Sequence, residues 1–502
     1  MHIGGMRTAF FNWLFAKKHG GQFILRIDDT DQERNVETAL APILHAFRWL
    51  GLLWDEGPEV GGPHAPYFQS QRNDLYRAAA DRLLAEGKAY RCFDTPAEIQ
   101  ADRDAAQTAG QQYLNIRRSH ALSPAQIEEN LAAGKSSVLR FLVPRDRKIE
   151  LEDAIRGHVE WDAGLMSDPV ILRANGTPLY NFATVVDDAL LEITHVIRAE
   201  EHLPNTAVQI LLHEALGNTL PIFAHVPYVA APGSKEKLSK RKLDKYRNNA
   251  QFKILFELGD KIFPRIGLSN SGGLDPVMVE YYEKIGFIPA GVLNALSRLG
   301  WSLDDSTEIM SLPFLIENFS LERVVKSSAG FDPEKLLSYQ AHWMNQLAID
   351  DRAAGCLPYL QQAGLVSAQP TDSELAQVRA VVAALNERIK LFSDVLTFDF
   401  FFKDAIEVSE KDSKKIFAKD GITALLAECR PVLAAIDDWS VASIEAAVRS
   451  FCESKSIGAG TLNQPLRIST TGSPIGPGVF DCLALVGQEK SLARIDQMLA
   501  KL

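Results

Sequence analysis

Arg7-Thr8-Ala9-Phe10-Phe11-Asn12-Trp13-Leu14-Phe15-Ala16-Lys17-Lys18-His19-Gly20-Gly21-Gln22-Phe23-Ile24-Leu25-Arg26-Ile27 decides the fold. Residues 7–19 read as a helix: basic side chains gather in the last turn, where they complement the negative end of the helix dipole, and Gly20-Gly21 supply the stop. Residues 22–27 then read as a short buried strand, and Asp28-Asp29-Thr30-Asp31 as an acidic turn. Beyond it Ala39, Leu40, Ile43, Leu44, Phe47 and Leu50 recur at helical spacing. Strand, turn and helix in alternation imply an α/β protein with a parallel sheet.

Outward from there, the Gly/Pro-rich stretch 56–66 punctuates the chain, and helical segments come next at about 72–87 and 123–133. Residues 135–173 return to strand-like sequence, for instance Ser136-Ser137-Val138-Leu139-Arg140-Phe141-Leu142-Val143, which reads as a domain inserted into the sheet. A second α/β half runs from about Asp168 through Ile193-Thr194-His195-Val196-Ile197 to a helix at 204–216. Residues 233–247 form a loop with seven Lys/Arg against two acidic residues, a pattern that alone is usually a solvated surface. From about 278 onward helical patterns dominate, as in residues 375–392 with Val378, Val381, Val382, Leu385 and Ile389. There is no internal repeat and no low-complexity tract.

A chain of 502 residues is too long for one core; at ~100–200 residues per domain it holds roughly three to five. Hydrophobic residues at 46%, charged at 23% and aromatic at 9% are those of an ordinary globular protein, without a disorder signature. A formal charge of −11 argues against a nonspecific nucleic-acid coat, although local basic patches survive such a sum. No apolar run is long enough to span a bilayer and no signal peptide opens the chain, so a cytoplasmic enzyme is expected. Cys92, Cys356, Cys429, Cys452 and Cys482 are scattered and form no CxxC pair; reduced, buried thiols are expected.

Two short motifs carry chemistry. Met1-His2-Ile3-Gly4-Gly5 opens onto the first helix. Helix-start amides and the positive dipole end favour phosphate, two glycines allow close approach of a nucleotide, and His2 can add a donor. The second motif is Lys237-Leu238-Ser239-Lys240-Arg241, preceded by Gly233-Ser234-Lys235. Its lysines, on a mobile loop, can converge on the β- and γ-phosphates of ATP as charge develops on departing pyrophosphate.

Together the two motifs resemble one family, the bacterial-type glutamyl-tRNA synthetases of class I. Around and between them lie Leu25-Arg26-Ile27-Asp28-Asp29-Thr30-Asp31, Gly51-Leu52-Leu53-Trp54-Asp55-Glu56-Gly57-Pro58, Tyr67-Phe68-Gln69-Ser70, Tyr180-Asn181-Phe182-Ala183 with Val185-Val186-Asp187-Asp188, and Thr194-His195-Val196-Ile197-Arg198-Ala199-Glu200-Glu201-His202-Leu203. The likeness is dense over residues 1–241, resumes at 280–301 with Glu280-Tyr281 and then Leu299-Gly300-Trp301-Ser302, and reappears at Gln464-Pro465-Leu466-Arg467 and Gly472-Ser473-Pro474-Ile475-Gly476-Pro477-Gly478.

The resemblance implies a Rossmann-like parallel sheet with an inserted α+β domain, followed by mainly helical connective and anticodon-binding domains. The expected division is 1–70 and 168–232 for the catalytic halves, 71–167 for an inserted acceptor-stem-binding domain, 233–320 for a connective domain with the lysine loop, and 321–400 and 401–502 for two helical anticodon-binding domains. It implies activation of L-glutamate with ATP and Mg²⁺, then transfer to the 3′ end of tRNA(Glu), by a monomer with no membrane association. His2, Gly4, Gly5, Lys237, Ser239 and Lys240 would bind ATP, with His2, Lys237 and Lys240 acting in catalysis. Asp28, Tyr180 and Arg198 would hold glutamate. Arg198 would fork onto the side-chain carboxylate, the competing reading being a salt bridge to Glu200 or Glu201.

Several departures from the family pattern stand out. Asp28 occupies a position usually held by Glu, and the strand that normally precedes the histidine motif has no counterpart, so a start downstream of the usual one is expected. Lys242-Leu243 replaces the common His-Gly, and residues 247–277 are extra, the ordinary expectation for them being a surface elaboration. Cys92 stands alone between Arg91 and Phe93, so no zinc site is expected. Two alternatives stay open: a tRNA-binding paralog that lost catalysis with its first strand, and a non-discriminating enzyme that also charges tRNA(Gln).

Overall fold

In the computed structural model, which describes residues 1–29, 36–269 and 274–502, the first helix, α1, spans Ile3–Lys18. It begins ahead of residue 7 because His2 caps it: the Nδ1 atom accepts a hydrogen bond from the Gly4 amide at 3.0 Å. It stops where the sequence indicated, with Gly20 in the left-handed region at φ +64°. The buried face of α1 carries Ile3, Met6, Phe10, Phe11 and Leu14. Helix α2, Val36–Trp49, buries Leu44 and Phe47, and Leu50 is buried just beyond its end.

Residues 22–27 are extended but form no regular strand. The Leu25 amide donates to Glu56 O at 2.9 Å and the Ile27 amide to Tyr67 O at 2.9 Å, with parallel bridges at Ile24–Glu56 and Ile27–Phe68. The partner is split by the Gly/Pro-rich loop, so the ladder is interrupted where that loop departs. Thr30 and Asp31 of the acidic turn lie outside the described residues, and so do residues 270–273.

Helix α3 (Asn73–Ala85) leads into strand β1 (Ala89–Cys92), then helices α4 (Pro96–Thr108) and α5 (Pro124–Ala132). Strands β2 (Val138–Phe141), β3 (Lys148–Asp153), β4 (Gly157–Asp162) and β5 (Val170–Leu172) come after them. An antiparallel sheet has the order β1-β2-β5, with Ala89 opposite Phe141, and β3 pairs with β4 as a hairpin. In β3, Ile149, Leu151 and Asp153 point inward while Lys148, Glu150 and Glu152 face out, the alternation of a half-buried strand. An aspartate on the inward side of such a strand requires a partner, and it has one at the site.

Helix α6 (Tyr180–Leu190) precedes strand β6 (His195–Ala199), helix α7 (Leu203–Leu216) and strand β7 (Ile222–Val226). Strands β6 and β7 are parallel, from His195 opposite Ile222 to Ala199 opposite Val226, with α7 as the crossover. Asn12 of α1 ties that helix to β6 through a 2.8 Å bond from Nδ2 to Ile197 O. Phe182, Leu211 and Phe223 join Tyr76 and Phe141 in one buried cluster.

The chain divides into two compact units, Met1–Lys242 with Leu293–Asp332, and Leu243–Val292 with Pro333–Leu502. The second is helical, and a core of Leu426, Cys429, Leu433, Val448, Leu466, Leu483 and Ile495 organises its last part. The helix read at 375–392 is observed as Asp372–Leu385; Asn386, at φ +46°, ends it, and Ile389 is buried beyond that end. The described residues of 247–277 are not merely a surface elaboration. The helix Ala250–Ile262 buries Phe252, Leu255, Phe256 and Ile262, and Phe252 stacks on Tyr246 at 5.3 Å. All five cysteines are buried free thiols, and no helix among the described residues is long and apolar enough to cross a membrane.

Candidate active site

The cap at the start of α1 settles what its histidine can do. Because His2 Nδ1 accepts from the Gly4 amide, the ring proton of the neutral imidazole resides on Nε2, the atom available to donate to a ligand. Burial, then Lys237, push the His2 pKa below its ordinary value, so the ring is neutral at pH 7. A Cβ on Gly4 would lie 3.3 Å from His2 Nδ1, and this crowding accounts for glycine next to the cap.

The lysine loop is held by its one apolar member. Leu238 is 1% exposed, and its amide donates to Val229 O at 2.8 Å. That anchor presents Lys237 beside Glu201, Nζ to Oε2 2.5 Å, and begins the 3₁₀ turn Lys240–Lys242. The cationic heads stay exposed, as the charge pattern indicated. His2, Gly4, Gly5, Lys237, Ser239 and Lys240 nevertheless line one cavity of about 590 Å³, together with Arg198.

Arg198 also lines a second cavity of about 310 Å³, with Asp28 and Tyr180. All three residues expected at the amino-acid end are thus brought together. Tyr180 opens α6 and is 42% exposed, so it is not a core tyrosine; its hydroxyl lies 3.4 Å from His202 Nδ1. Arg198, on β6, donates from Nη2 to Thr206 Oγ1 at 2.8 Å and lies over the Phe223 ring. Glu200 pairs with Arg156 and Glu201 with Lys237. The competing salt bridge is therefore not made, and among the described residues Arg198 has no carboxylate partner. Burial first of all lowers the Arg198 pKa from its usual value.

Several pocket residues were not singled out from the sequence. Arg26 bonds Asp28 from Nε at 2.8 Å and Asp188 from Nη1 at 2.8 Å, with Asp187 at 3.6 Å. Burial opposes the Arg26 charge, but Asp28, Asp188 and Asp187 outweigh it and hold the proton more tightly than usual. Asp187 in turn accepts from Gln69, Arg72 and Tyr76, and Asp29 accepts from the amide and hydroxyl of Ser70. Asp187 is thus a brace behind the pocket, while Asp188, bonded to Arg26, stands on its wall. Thr184 lines the smaller cavity, 6% exposed, and its Oγ1 has no hydrogen-bond partner among the described residues. Its spacing from Tyr180, one helical turn, was the available signal.

The described residues gather no group of three or more His, Cys, Asp or Glu side chains that could hold a metal ion.

This geometry is matched by likeness to known proteins. Residues 1–264 match the family described as tRNA synthetases class I (E and Q), catalytic domain, and residues 352–499 match an anticodon binding domain. The chain is 42% identical over 498 residues to the glutamate–tRNA ligase of Moorella thermoacetica, covering 99% of this chain and 95% of that one. It is 38% identical over 503 residues to the glutamate–tRNA ligase of Desulforudis audaxviator, covering 100% and 94%. A crystal structure of a glutamate–tRNA ligase from Elizabethkingia meningosepticum, in complex with its amino acid, superposes with a TM-score of 0.85 at 32% identity, covering 100% of this chain and 97% of that one. The chain belongs to the glutamate–tRNA ligase family of class I aminoacyl-tRNA synthetases.

Proposed function

We propose that the chain activates L-glutamate with ATP and transfers the glutamyl group to the 3′ end of tRNA(Glu). The observation that carries this reading is the placement of Arg198 on the walls of both cavities, so that an amino acid held in the smaller one meets a nucleotide held in the larger. The glutamate side-chain carboxylate pairs with Arg198, Tyr180 walls the pocket, and Asp28, its Oδ1 tied to Arg26, holds the α-ammonium. An oxygen of the α-carboxylate attacks the α-phosphorus of ATP, and the bond to the departing pyrophosphate breaks. A hydroxyl of the terminal ribose of tRNA then attacks the adenylate carbonyl, and AMP leaves. Neither step needs a protein nucleophile; positioning and electrostatics carry both.

His2 donates from neutral Nε2, and Lys237 and Lys240 take the charge that develops on pyrophosphate. The triphosphate replaces Glu201 as the partner of Lys237, so the ion pair is exchanged and not lost. Residues 1–70 and 168–232 are assigned as the catalytic halves, 71–167 as the acceptor-stem domain, 233–320 as the connective segment, and 321–400 and 401–502 as the anticodon-binding parts. Mg²⁺ would accompany ATP and help neutralise the charge of its phosphates.

The test is glutamate-dependent exchange of pyrophosphate into ATP, with and without tRNA, followed by charging of tRNA(Glu) and tRNA(Gln). Exchange that depends on glutamate, with charging of tRNA(Glu), is the expected result. Charging of both tRNAs would widen the substrate range, and absence of exchange with either tRNA would overturn the enzyme assignment.

A further inference from the structure

We infer that His225 and Asp153 are positioning residues that aim the guanidinium of Arg198 and so set the preference for glutamate over its amide. The inference rests on the reading of Arg198 as the carboxylate partner. Asp153 closes strand β3, and both its side chain and that of His225 are fully buried. Asp153 Oδ1 accepts from the amides of Ile155 at 3.0 Å and Arg156 at 2.8 Å, and Oδ2 meets His225 Nδ1 at 2.6 Å. The His225 amide adds contacts of 3.2 Å to both carboxylate oxygens.

The other end of the imidazole meets Arg198 Nε at 3.2 Å. An arginine Nε–H can only donate, so His225 Nε2 accepts, and the ring proton sits on Nδ1 facing Asp153. Carboxylate, imidazole and guanidinium therefore form one directional chain, in which the carboxylate fixes the tautomer and the tautomer fixes the arginine. Thr206 Oγ1 takes Arg198 Nη2 at 2.8 Å. Both groups lie on the Nε–Nη2 edge of the guanidinium, where Nη2 also meets His202 O at 3.5 Å, and the Nη1–Nη2 edge is the one inferred to take a bidentate ligand.

Neutral acceptors on that edge matter for specificity. A carboxylate placed directly on Arg198 would neutralise it, and the pocket would then accept an amide as readily as an acid. Asp153 orients the arginine from one ring away without cancelling its charge. The same hairpin turn adds a second device: Arg156 donates from Nε to His225 O at 3.1 Å and pairs with Glu200, which keeps that carboxylate off Arg198. Phe223, nearly parallel to the His225 ring at 8° and 6.1 Å, supports the arrangement from the same strand.

Two substitutions separate the two ends of the imidazole. His225→Asn keeps a donor toward Asp153 and removes the acceptor for Arg198; His225→Gln places an acceptor where Nε2 was. Steady-state exchange on the full chain should show His225→Asn raising KM for glutamate about ten-fold, with KM for ATP unchanged and a lower ratio of kcat/KM for glutamate over glutamine. His225→Gln should recover most of that loss, and calorimetric titration with glutamate should give the same order. If His225→Asn does not fold, His225→Gln still decides: a folded protein with intact ATP kinetics and lost glutamate affinity overturns the inference. So does a His225→Asn protein whose KM for glutamate is unchanged while Arg198→Ala raises it. Should Arg198→Ala itself leave glutamate KM unaltered, the reading of the pocket fails instead.

Discussion

The proposed amino-acid end and the proposed phosphate end of the site are built in opposite ways. Around the smaller cavity the charges are fixed: Arg26 is bonded to Asp28 and Asp188, and Asp187 to Gln69, Arg72 and Tyr76. In the lysine loop the ion pairs of Lys237 with Glu201 and of Lys242 with Glu236 join exposed side chains. A small amino acid with few charges gains from groups that are already in place. A polyphosphate carrying several charges is better met by side chains whose partners exchange at little cost, since exposed pairs contribute only about 0–1 kcal/mol each.

The sharpest way to break this contrast is to remove the cation that pairs the buried Asp188. Arg26→Ala should destabilise the catalytic unit by about 3–5 kcal/mol, because Asp188 loses its paired guanidinium and stays buried. Thermal unfolding measures it, and an unshifted midpoint would mean that the pocket is not organised by its charges. Next in size is Lys240→Ala. It should slow glutamate-dependent exchange by about 10²–10³-fold while leaving the unfolding midpoint and tRNA affinity nearly unchanged. Equal losses in adenylate formation and tRNA binding would assign the lysine to holding the fold.

The contrast extends to pH. His213 lies on α7, 2% exposed, and burial alone pushes its pKa down to about 4. The folded value is below the unfolded one of about 6.5, so the unfolded chain takes up the proton first as pH falls. The stability is fully present above about pH 6.5 and declines toward pH 4, by about 3 kcal/mol in all. His213→Leu should flatten that decline in urea titrations at pH 7 and pH 5. No histidine lies in residues 233–247, so deleting loop charges should leave the slope as it is; a slope unchanged by His213→Leu would place its origin elsewhere.

Legibility in the sequence divides along the same line. The histidine cap, the lysine loop and the ends of α6 and α7 are local: a helix start, a charge run and an apolar stripe each lie in a few consecutive residues. Helix α4 has no buried residue, so no apolar stripe marks it, and the cap of Thr95 with Glu98 that does mark its start was passed over. Strand β1, Ala89–Cys92, lacks the longer apolar run that surrounds the equally short β2 and makes that one readable. The segment 22–27 reads as a strand from its apolar content, while its interrupted ladder depends on where a loop far along the chain departs. Helix Ala250–Ile262 reads as surface because its partners, Tyr246 and Tyr281 among them, are revealed only by packing. The proposed site residues came from motifs, but the bracing of the pocket did not: that Asp187 is buried under Gln69, Arg72 and Tyr76 while Asp28 stays open is a matter of packing.

The smallest effect separates a ligand-facing group from a packing accident. Thr184 is buried, lines the pocket and leaves its hydroxyl without a partner among the described residues. An unsatisfied buried hydroxyl costs about 1–3 kcal/mol, a cost that an occupied pocket removes if the ligand supplies the missing bond. Thr184→Val keeps the shape and deletes the hydroxyl, so the free protein should be as stable or slightly more stable. Its KM for glutamate should rise about three- to ten-fold, the worth of one hydrogen bond of about 1 kcal/mol, while KM for ATP stays put. A gain in stability with no change in KM would make the hydroxyl a defect of packing, and the fixed character of the amino-acid end would then rest on its charged groups alone.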